Sequence, residues 1–301
     1  MTGFHGTDPG ATPFMNRMRL VTGPILVVAL VLLVLLDASL CTLPGTQVQG
    51  PVIFLLLLVV CPLGAIELSW LLHDSGIPGR PWIAACGSIL GVLAMTIASV
   101  CMTDPVDSTA VLGTCLALIF CLAISSALPA RSVEGTMSSI TSSLCTTVYI
   151  GILPAFWMLL RQEHSAWFIL GLVLVIKSSD IGAFTVGMLA GRRKLIYWLS
   201  PGKTWEGFLG GVGSSALVGM IMGFWLVQDS DSPAFGPLAG LLVGAVMAIV
   251  GQAGDLIESM FKRAAGRKDS GTLLPGMGGV LDVVDSLIWT APVAWWILRL
   301  I

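Results

Sequence analysis

Charge is what this sequence has least of. Of 301 residues, 15 are Lys or Arg and 17 are Asp or Glu, 11% in all, where an ordinary soluble domain carries about one quarter. A soluble chain of this length needs far more ionisable surface, so a water-soluble protein is excluded. The net charge of −2 leaves no basic excess, which excludes nucleic acid as a partner. Histidine is scarce too: His5, His73 and His164 stand far apart and form no metal-ligand pattern. Cys41, Cys61, Cys86, Cys101, Cys115, Cys121 and Cys145 contain no Cys-x-x-Cys pair. That argues against a zinc site or a disulfide framework and leaves them as small apolar side chains.

What is there is apolar: 55% of the residues are hydrophobic and the mean hydropathy is +0.93. A membrane-crossing helix needs roughly 20 mostly apolar residues. About nine blocks fit: Leu20 to Leu40, Pro51 to Leu72, Trp82 to Met102, Ala110 to Leu128, Leu144 to Leu160, Ala166 to Ala190, Phe208 to Val227, Pro237 to Phe261 and Val280 to Ile301. The fold class is therefore all-α, a polytopic integral membrane helical bundle of about nine transmembrane helices. A polar N-terminal tail (1–19), expected to be disordered up to Asn16, leads into a retained first helix. N-terminal transmembrane helices (20–165) precede a C-terminal transmembrane catalytic region (166–301).

Basic residues collect in cytoplasmic loops. With the N-terminus cytoplasmic, Arg17, Arg19, Arg80, Arg131, Arg192, Arg193, Lys194, Lys203, Lys262, Arg263, Arg267 and Lys268 fall inside, and only Arg161 and Arg299 fall outside. The loops near Asp104 and Asp107 and near Asp229 and Asp231 then lie outside. The first half reads as packing helices and little else.

Half of all charged residues fall in two short segments, 177–207 and 251–286, both on the expected cytoplasmic side. Lys177 and Asp180, three apart in an apolar run, share a helix face; ionisable groups there line a bundle interior or an aqueous pocket. In Leu199 to Gly207, Gly202-Lys203-Thr204 matches only the end of a Walker A loop, and Tyr197-Trp198-Leu199 lacks its first glycine. What remains is phosphate chemistry: Lys203 for charge, Ser200 and Thr204 for hydroxyls, and amides near a helix start. Asp255, Glu258, Ser259 and Lys262 recur at three- and four-residue steps as a polar stripe that starts inside an apolar helix. Past Lys268-Asp269, a Gly-rich loop ending in Gly278-Gly279 leads to Asp282 and Asp285, which point the same way and can share Mg²⁺. Carboxylates, a divalent cation and several Lys and Arg together equip phosphoryl or nucleotidyl transfer.

These segments resemble the signature of the phosphatidate cytidylyltransferase (CDP-diacylglycerol synthase) family. In register are Ser259, Phe261, Lys262, Arg263, Lys268, Asp269, Gly271, Leu274, Pro275, Gly276, Gly278, Gly279, Val280, Asp282 and Asp285. Gly254-Asp255-Leu256, the segment from Asp180 to Phe184, and Ser200-Pro201 with Lys203 to Gly207 are similar too. The resemblance implies that CTP and phosphatidate, or a related lipid phosphate, give CDP-diacylglycerol and pyrophosphate at the cytoplasmic side of a cell membrane. It implies Mg²⁺ on Asp255, Asp269, Asp282 and Asp285, with Lys262, Arg263 and Lys268 also catalytic. Lys177, Asp180, Ser200, Lys203, Thr204, Glu206, Ser259, Gly278 and Gly279 are implied to bind substrate. It also implies a second, monovalent cation such as K⁺ and a homodimer. Three positions depart from the pattern: Met277 stands for His, Val283 for Arg and Gly202 for Lys. Val283 cannot make the bidentate phosphate contact of an arginine. Another lipid phosphate or a lipid alcohol as acceptor, a weakened non-catalytic paralogue, and an ion pathway through Lys177 and Asp180 remain the alternatives.

Overall fold

A computed structural model of the chain describes residues 11–41, 49–102, 104–127, 135–226 and 235–301. Among these residues ten α-helices run in chain order: α1 (Ala11–Cys41), α2 (Pro51–Asp74), α3 (Pro81–Val100), α4 (Pro105–Ala127), α5 (Thr136–Thr146), α6 (Leu153–Glu163), α7 (Ala166–Ala190), α8 (Trp205–Leu226), α9 (Pro237–Ala264) and α10 (Leu281–Leu300). A π-helical turn, Thr147–Ile152, joins α5 and α6 into one continuous segment. Among the described residues, nine segments are long and apolar enough to cross a membrane, Thr136–Glu163 counting as one. The multi-pass helical reading holds, with three differences from the sequence expectation. The first helix begins at Ala11 rather than Leu20, although the rest of the tail lies outside the described residues. The fifth span starts at Thr136, well before Leu144, because its Ser- and Thr-rich opening satisfies its hydroxyls on its own backbone: Ser143 donates to the Ser139 carbonyl at 2.8 Å and Thr147 to the Ser143 carbonyl at 2.8 Å. The stretch between the sixth and seventh spans, expected as a phosphate-binding loop with no strand, folds as a two-stranded antiparallel hairpin, β1 (Lys194–Ile196) with β2 (Ser200–Thr204). Arg131, Asp229 and Asp231, assigned to loops, lie outside the described residues.

The π-helical turn has a local cause. Pro154 has no N–H to give the Ile150 carbonyl, and the ladder slips by one residue ahead of it, with the Leu153 amide bonding the Val148 carbonyl. The same turn carries Gly151, where a Cβ would meet the Ser88 backbone of α3 at 2.9 Å.

Apolar area gains little when helices pack inside lipid, so close backbone approach must supply the attraction. On α8, Gly211, Ser215, Gly219 and Gly223 recur every fourth residue, and on α9 Gly240, Gly244 and Ala248 do the same, continuing the step from Gly236 at its N-cap. These stripes face each other: a Cβ on Gly219 would run into the Gly240 carbonyl. α7 packs on the other side of α8, where the Ser214 hydroxyl donates to the Ser178 carbonyl at 2.9 Å.

Two apolar cores share α10. Leu281 and Ile288 pack with α2, α3, the π turn and α6, while Ala291 and Ala294 pack with α6, α7 and α9. The Trp157 indole of α6 donates to the Leu287 carbonyl at 3.1 Å, holding α10 between the two. α10 thus joins the N-terminal helices to the C-terminal ones, and its first turns carry Asp282 and Asp285.

Candidate active site

The C-terminal ends of α7 and α9, the hairpin and the N-terminal ends of α8 and α10 meet at one end of the bundle. Between α7, the hairpin, α8 and α9 lies an open cleft of about 430 Å³ lined by Asp180, Phe184, Lys203, Thr204, Gln252 and Asp255, among others. Clefts of this size hold small molecules. One wall is apolar: Phe184 and Met188 are 70% and 67% exposed. The other wall is charged.

Lys177 and Asp180 stand one turn apart on α7 at 3.4 Å, and the Lys177 ammonium also donates to the Val283 carbonyl at 2.9 Å and to the Ser286 hydroxyl at 2.8 Å on α10. Lys203, on β2, pairs with Asp255 of α9 at 2.5 Å. Lys262 stands 2.5 Å from Glu258 and 2.7 Å from Asp282. Oxygens of Asp255, Glu258 and Asp285 lie within 4.8 Å of one another. Glu258 is fully buried and neither of its oxygens accepts a well-directed hydrogen bond. Asp285 is also buried and has no cation of its own among the described ion pairs. Five carboxylates (Asp180, Asp255, Glu258, Asp282, Asp285) therefore share three lysines. Counted as ionised, they lack two positive charges. An all-oxygen, unsatisfied cluster with that deficit fits a hard divalent cation such as Mg²⁺.

The expected ligands are only partly brought together. Asp255 and Asp285 converge, but with Glu258 instead of Asp269 and Asp282. Asp282 is occupied elsewhere: one oxygen receives Lys262, and the other accepts from the Gly279 amide (2.7 Å) and from the amide and hydroxyl of Ser270 (2.8 Å each). Gly278 sits at φ +96° with the Asp282 carboxylate where a Cβ would be. Asp269 is half-buried beside this turn.

Of the other expected residues, Ser200, Lys203 and Thr204 line the cleft. Thr204 is buried and caps α8 by accepting the Gly207 amide at 3.1 Å. Glu206 turns away and accepts from the amides of Arg192 (3.0 Å) and Arg193 (3.1 Å), fastening the hairpin to α8. Arg263 donates to the carbonyls of Leu199 and Arg267. Lys268 is exposed, and Ser259 is half-buried.

Sequence reasoning missed contributions from the N-terminal half. Glu67 of α2 is 2% exposed and reaches the loop before α10; a lone acid in an apolar span was the available signal. Tyr149, on the π turn, packs at a tilt against Phe261 and Trp289, ring centroids 5.8 and 6.1 Å away. Nothing in the residue spacing announces it. Glu258 stood in the polar stripe, three residues after Asp255, but was not singled out.

Comparison with known proteins gives these features a context. The chain is 40% identical over 194 residues to a phosphatidate cytidylyltransferase of Synechocystis, covering 55% of this chain and 64% of the relative. It is 40% identical over 168 residues to the uncharacterized protein YnbB of Escherichia coli, covering 54% of each. A Staphylococcus haemolyticus phosphatidate cytidylyltransferase is 40% identical over 149 residues, 50% of this chain and 55% of the relative. The chain thus spans about half to two thirds of the length of the curated relatives it matches. A family profile matches far more of it, residues 19–301. The chain belongs to the cytidylyltransferase family.

Proposed function

We propose that the chain is a membrane nucleotidyltransferase that joins CTP to phosphatidate, giving CDP-diacylglycerol and pyrophosphate in phospholipid biosynthesis. The observation that carries this is the convergence of Asp255, Glu258 and Asp285, within a set of five carboxylates served by three lysines, beside a cleft with one apolar and one charged wall. The family and the relatives named phosphatidate cytidylyltransferase agree with it. The segregation of basic residues to the site-bearing end supports a cytoplasmic site and a cytoplasmic N-terminus in a cell membrane.

A phosphate monoester is largely ionised at neutral pH, with a second pKa of about 6, so the lipid phosphate needs little general-base help. One of its oxygens attacks the α-phosphorus of CTP, a P–O bond forms, and the bond to the β-phosphate breaks to release pyrophosphate. Mg²⁺ on Asp255, Glu258 and Asp285 supplies charge neutralisation when bound. Lys203, at the cleft wall, holds nucleotide phosphate; Lys262 keeps Glu258 and Asp282 in place. The Thr204 cap presents the positive end of α8 to an anion. Phe184 and Met188 let acyl chains stay in the bilayer while the headgroup enters.

The test is pyrophosphate release by purified protein supplied with CTP, Mg²⁺ and phosphatidate. Release that requires all three is expected; no turnover above background overturns the reading. A different lipid phosphate is favoured by one observation: apolar Val283 stands beside Asp282, and Lys177 bonds its carbonyl. Running phosphatidate, a polyprenyl phosphate and diacylglycerol in parallel separates these acceptors.

A further inference from the structure

The cleft and the carboxylate cluster are built by α7 to α10, yet an acid from α2 is wired into them. Glu67 is the one charged residue between Pro51 and Leu72, and it pairs with no cation among the described residues. One oxygen accepts the Val280 amide at 2.9 Å; the other accepts the Leu281 amide at 2.9 Å and the Ser270 hydroxyl at 3.0 Å. Those amides are orphan donors at the start of α10, where the residue at the cap position, Val280, offers no side-chain acceptor. The cap comes instead from a helix more than 200 residues away. The loop closes so tightly around this carboxylate that a Cβ on Gly271 would stand 2.6 Å from it.

A local Ser or Asp could cap α10 at a much smaller desolvation cost than a cation-free carboxylate brought from another span. What a local cap could not do is reach Ser270. That hydroxyl also lies 2.8 Å from Asp282, so its single proton is shared between the two carboxylates in a three-centre bond; the other Asp282 oxygen holds Lys262, and Lys262 stands against Glu258. Glu67, Ser270, Asp282, Lys262 and Glu258 thus form one unbroken chain from α2 into the metal cluster.

We propose that Glu67 is a positioning residue of this site: it anchors the loop from Ser270 to Leu281 and, through Ser270 and Asp282, sets Lys262 against Glu258. The proposal rests on the nucleotidyl-transfer reading for the reaction affected, but its geometry can be tested without turnover. In the full-length protein, Glu67→Gln keeps the shape but turns an NH₂ toward an amide donor, so at least one bond is lost. Ser270→Ala keeps the cap on α10 and removes only the bridge. Three readouts separate positioning from mere stability: Mn²⁺ titration by electron paramagnetic resonance, hydrogen exchange of the 262–285 segment, and kcat against KM for CTP.

Outer-sphere partners of metal sites change metal affinity by about 10- to 100-fold. Glu67→Gln is expected to weaken Mn²⁺ binding by about tenfold and to lower kcat per folded molecule by at least that much, with KM for CTP within about threefold. It should speed exchange at Val280 and Leu281. Ser270→Ala should give a similar Mn²⁺ loss without faster exchange at those two amides, and the double variant should be no worse than the poorer single one. Wild-type Mn²⁺ affinity in either single variant overturns the proposal, as do losses that multiply in the double variant. Should Glu67→Gln fail to accumulate, Ser270→Ala decides alone. If the native protein neither binds Mn²⁺ nor releases pyrophosphate, the nucleotidyl-transfer reading falls and exchange still judges Glu67. Faster exchange spreading to Ser270 and Lys262 then upholds the anchor, and a change confined to Val280 and Leu281 overturns it.

Discussion

Asp37 of α1 and Glu258 of α9 are both fully buried carboxylates, at opposite ends of the bundle, and they are treated differently. Asp37 has an arginine of its own: Arg161 Nε donates to it at 2.7 Å, and the Val52 amide at the start of α2 donates at 2.9 Å. The rest of the guanidinium bonds Gln49, the His164 carbonyl and the Cys41 sulfur. Every group there has a partner, and the network ties α1, α2 and α6 together. Glu258 shares its lysine with Asp282, and its oxygens accept no well-directed hydrogen bond. Burial alone does not tell the two carboxylates apart; a shortfall of partners does.

The largest expected effect comes from deepening or relieving that shortfall. Asp285→Asn removes one of three converging oxygens' charges and should lower pyrophosphate release by about a hundred- to a thousandfold. Without metal the folded protein should be no less stable, because a crowded negative charge is gone, and the stabilisation that Mg²⁺ confers in a thermal melt should disappear. An unchanged rate, or an unchanged Mg²⁺ shift, would mean that the cluster is another structural network like that of Asp37.

The opposite pattern is expected at the other end. Arg161→Met strands Asp37 in the interior and should cost about 3–5 kcal/mol in an unfolding titration, with kcat per folded molecule unaltered. Replacing both partners, Asp37→Leu with Arg161→Met, should restore most of the loss, since two apolar groups leave no orphan charge. A lowered kcat in the folded fraction would break the division into a finished end and an open one.

The spans were legible because long apolar runs and scarce charge leave few alternatives, and the C-terminal site was legible because charge concentrates against that background. Lys203, Asp255, Asp282 and Asp285 were visible for this reason. The convergence of Glu258 with Asp255 and Asp285 was not, because it depends on the Ser270 and Gly279 donors holding Asp282 elsewhere. Spacing along a helix gives a shared face but not the partner across it. The hairpin escaped for a similar reason: Glu206 closes it through the amides of Arg192 and Arg193, a contact with no periodic trace. Glu67 escaped because a single acid in a span carries no partner pattern, and its partners lie over 200 residues away.

Lys203 offers a middle test. It is the one lysine of the three carried on the hairpin and not on a helix, so its loss should leave the bundle intact. Hydrogen bonds to charged groups contribute about 1.5–3 kcal/mol, so Lys203→Met should raise KM for CTP by roughly ten- to a hundredfold, measured by initial rates. If kcat falls and KM does not, Lys203 acts on the transition state alone, and the cleft wall and the metal cluster are one unit.

The smallest effect should come from a second arginine and acid pair at the far end. Arg299 of α10 pairs with Glu163 and stacks over Trp295 at 4.1 Å, but about half of its side chain is exposed. Water and salt screen such a pair, and stacking on an indole at an exposed site adds about 0.5–1 kcal/mol. Arg299→Ala should therefore cost no more than about 1 kcal/mol and less at high salt, against the several expected for Arg161. The two arginines sit at the same end, bind the same kind of group and differ mainly in burial. An equal cost for both would mean that partner geometry, rather than desolvation, sets the energetics of charge in this bundle, and the partner count that singles out Glu258 would lose its physical basis.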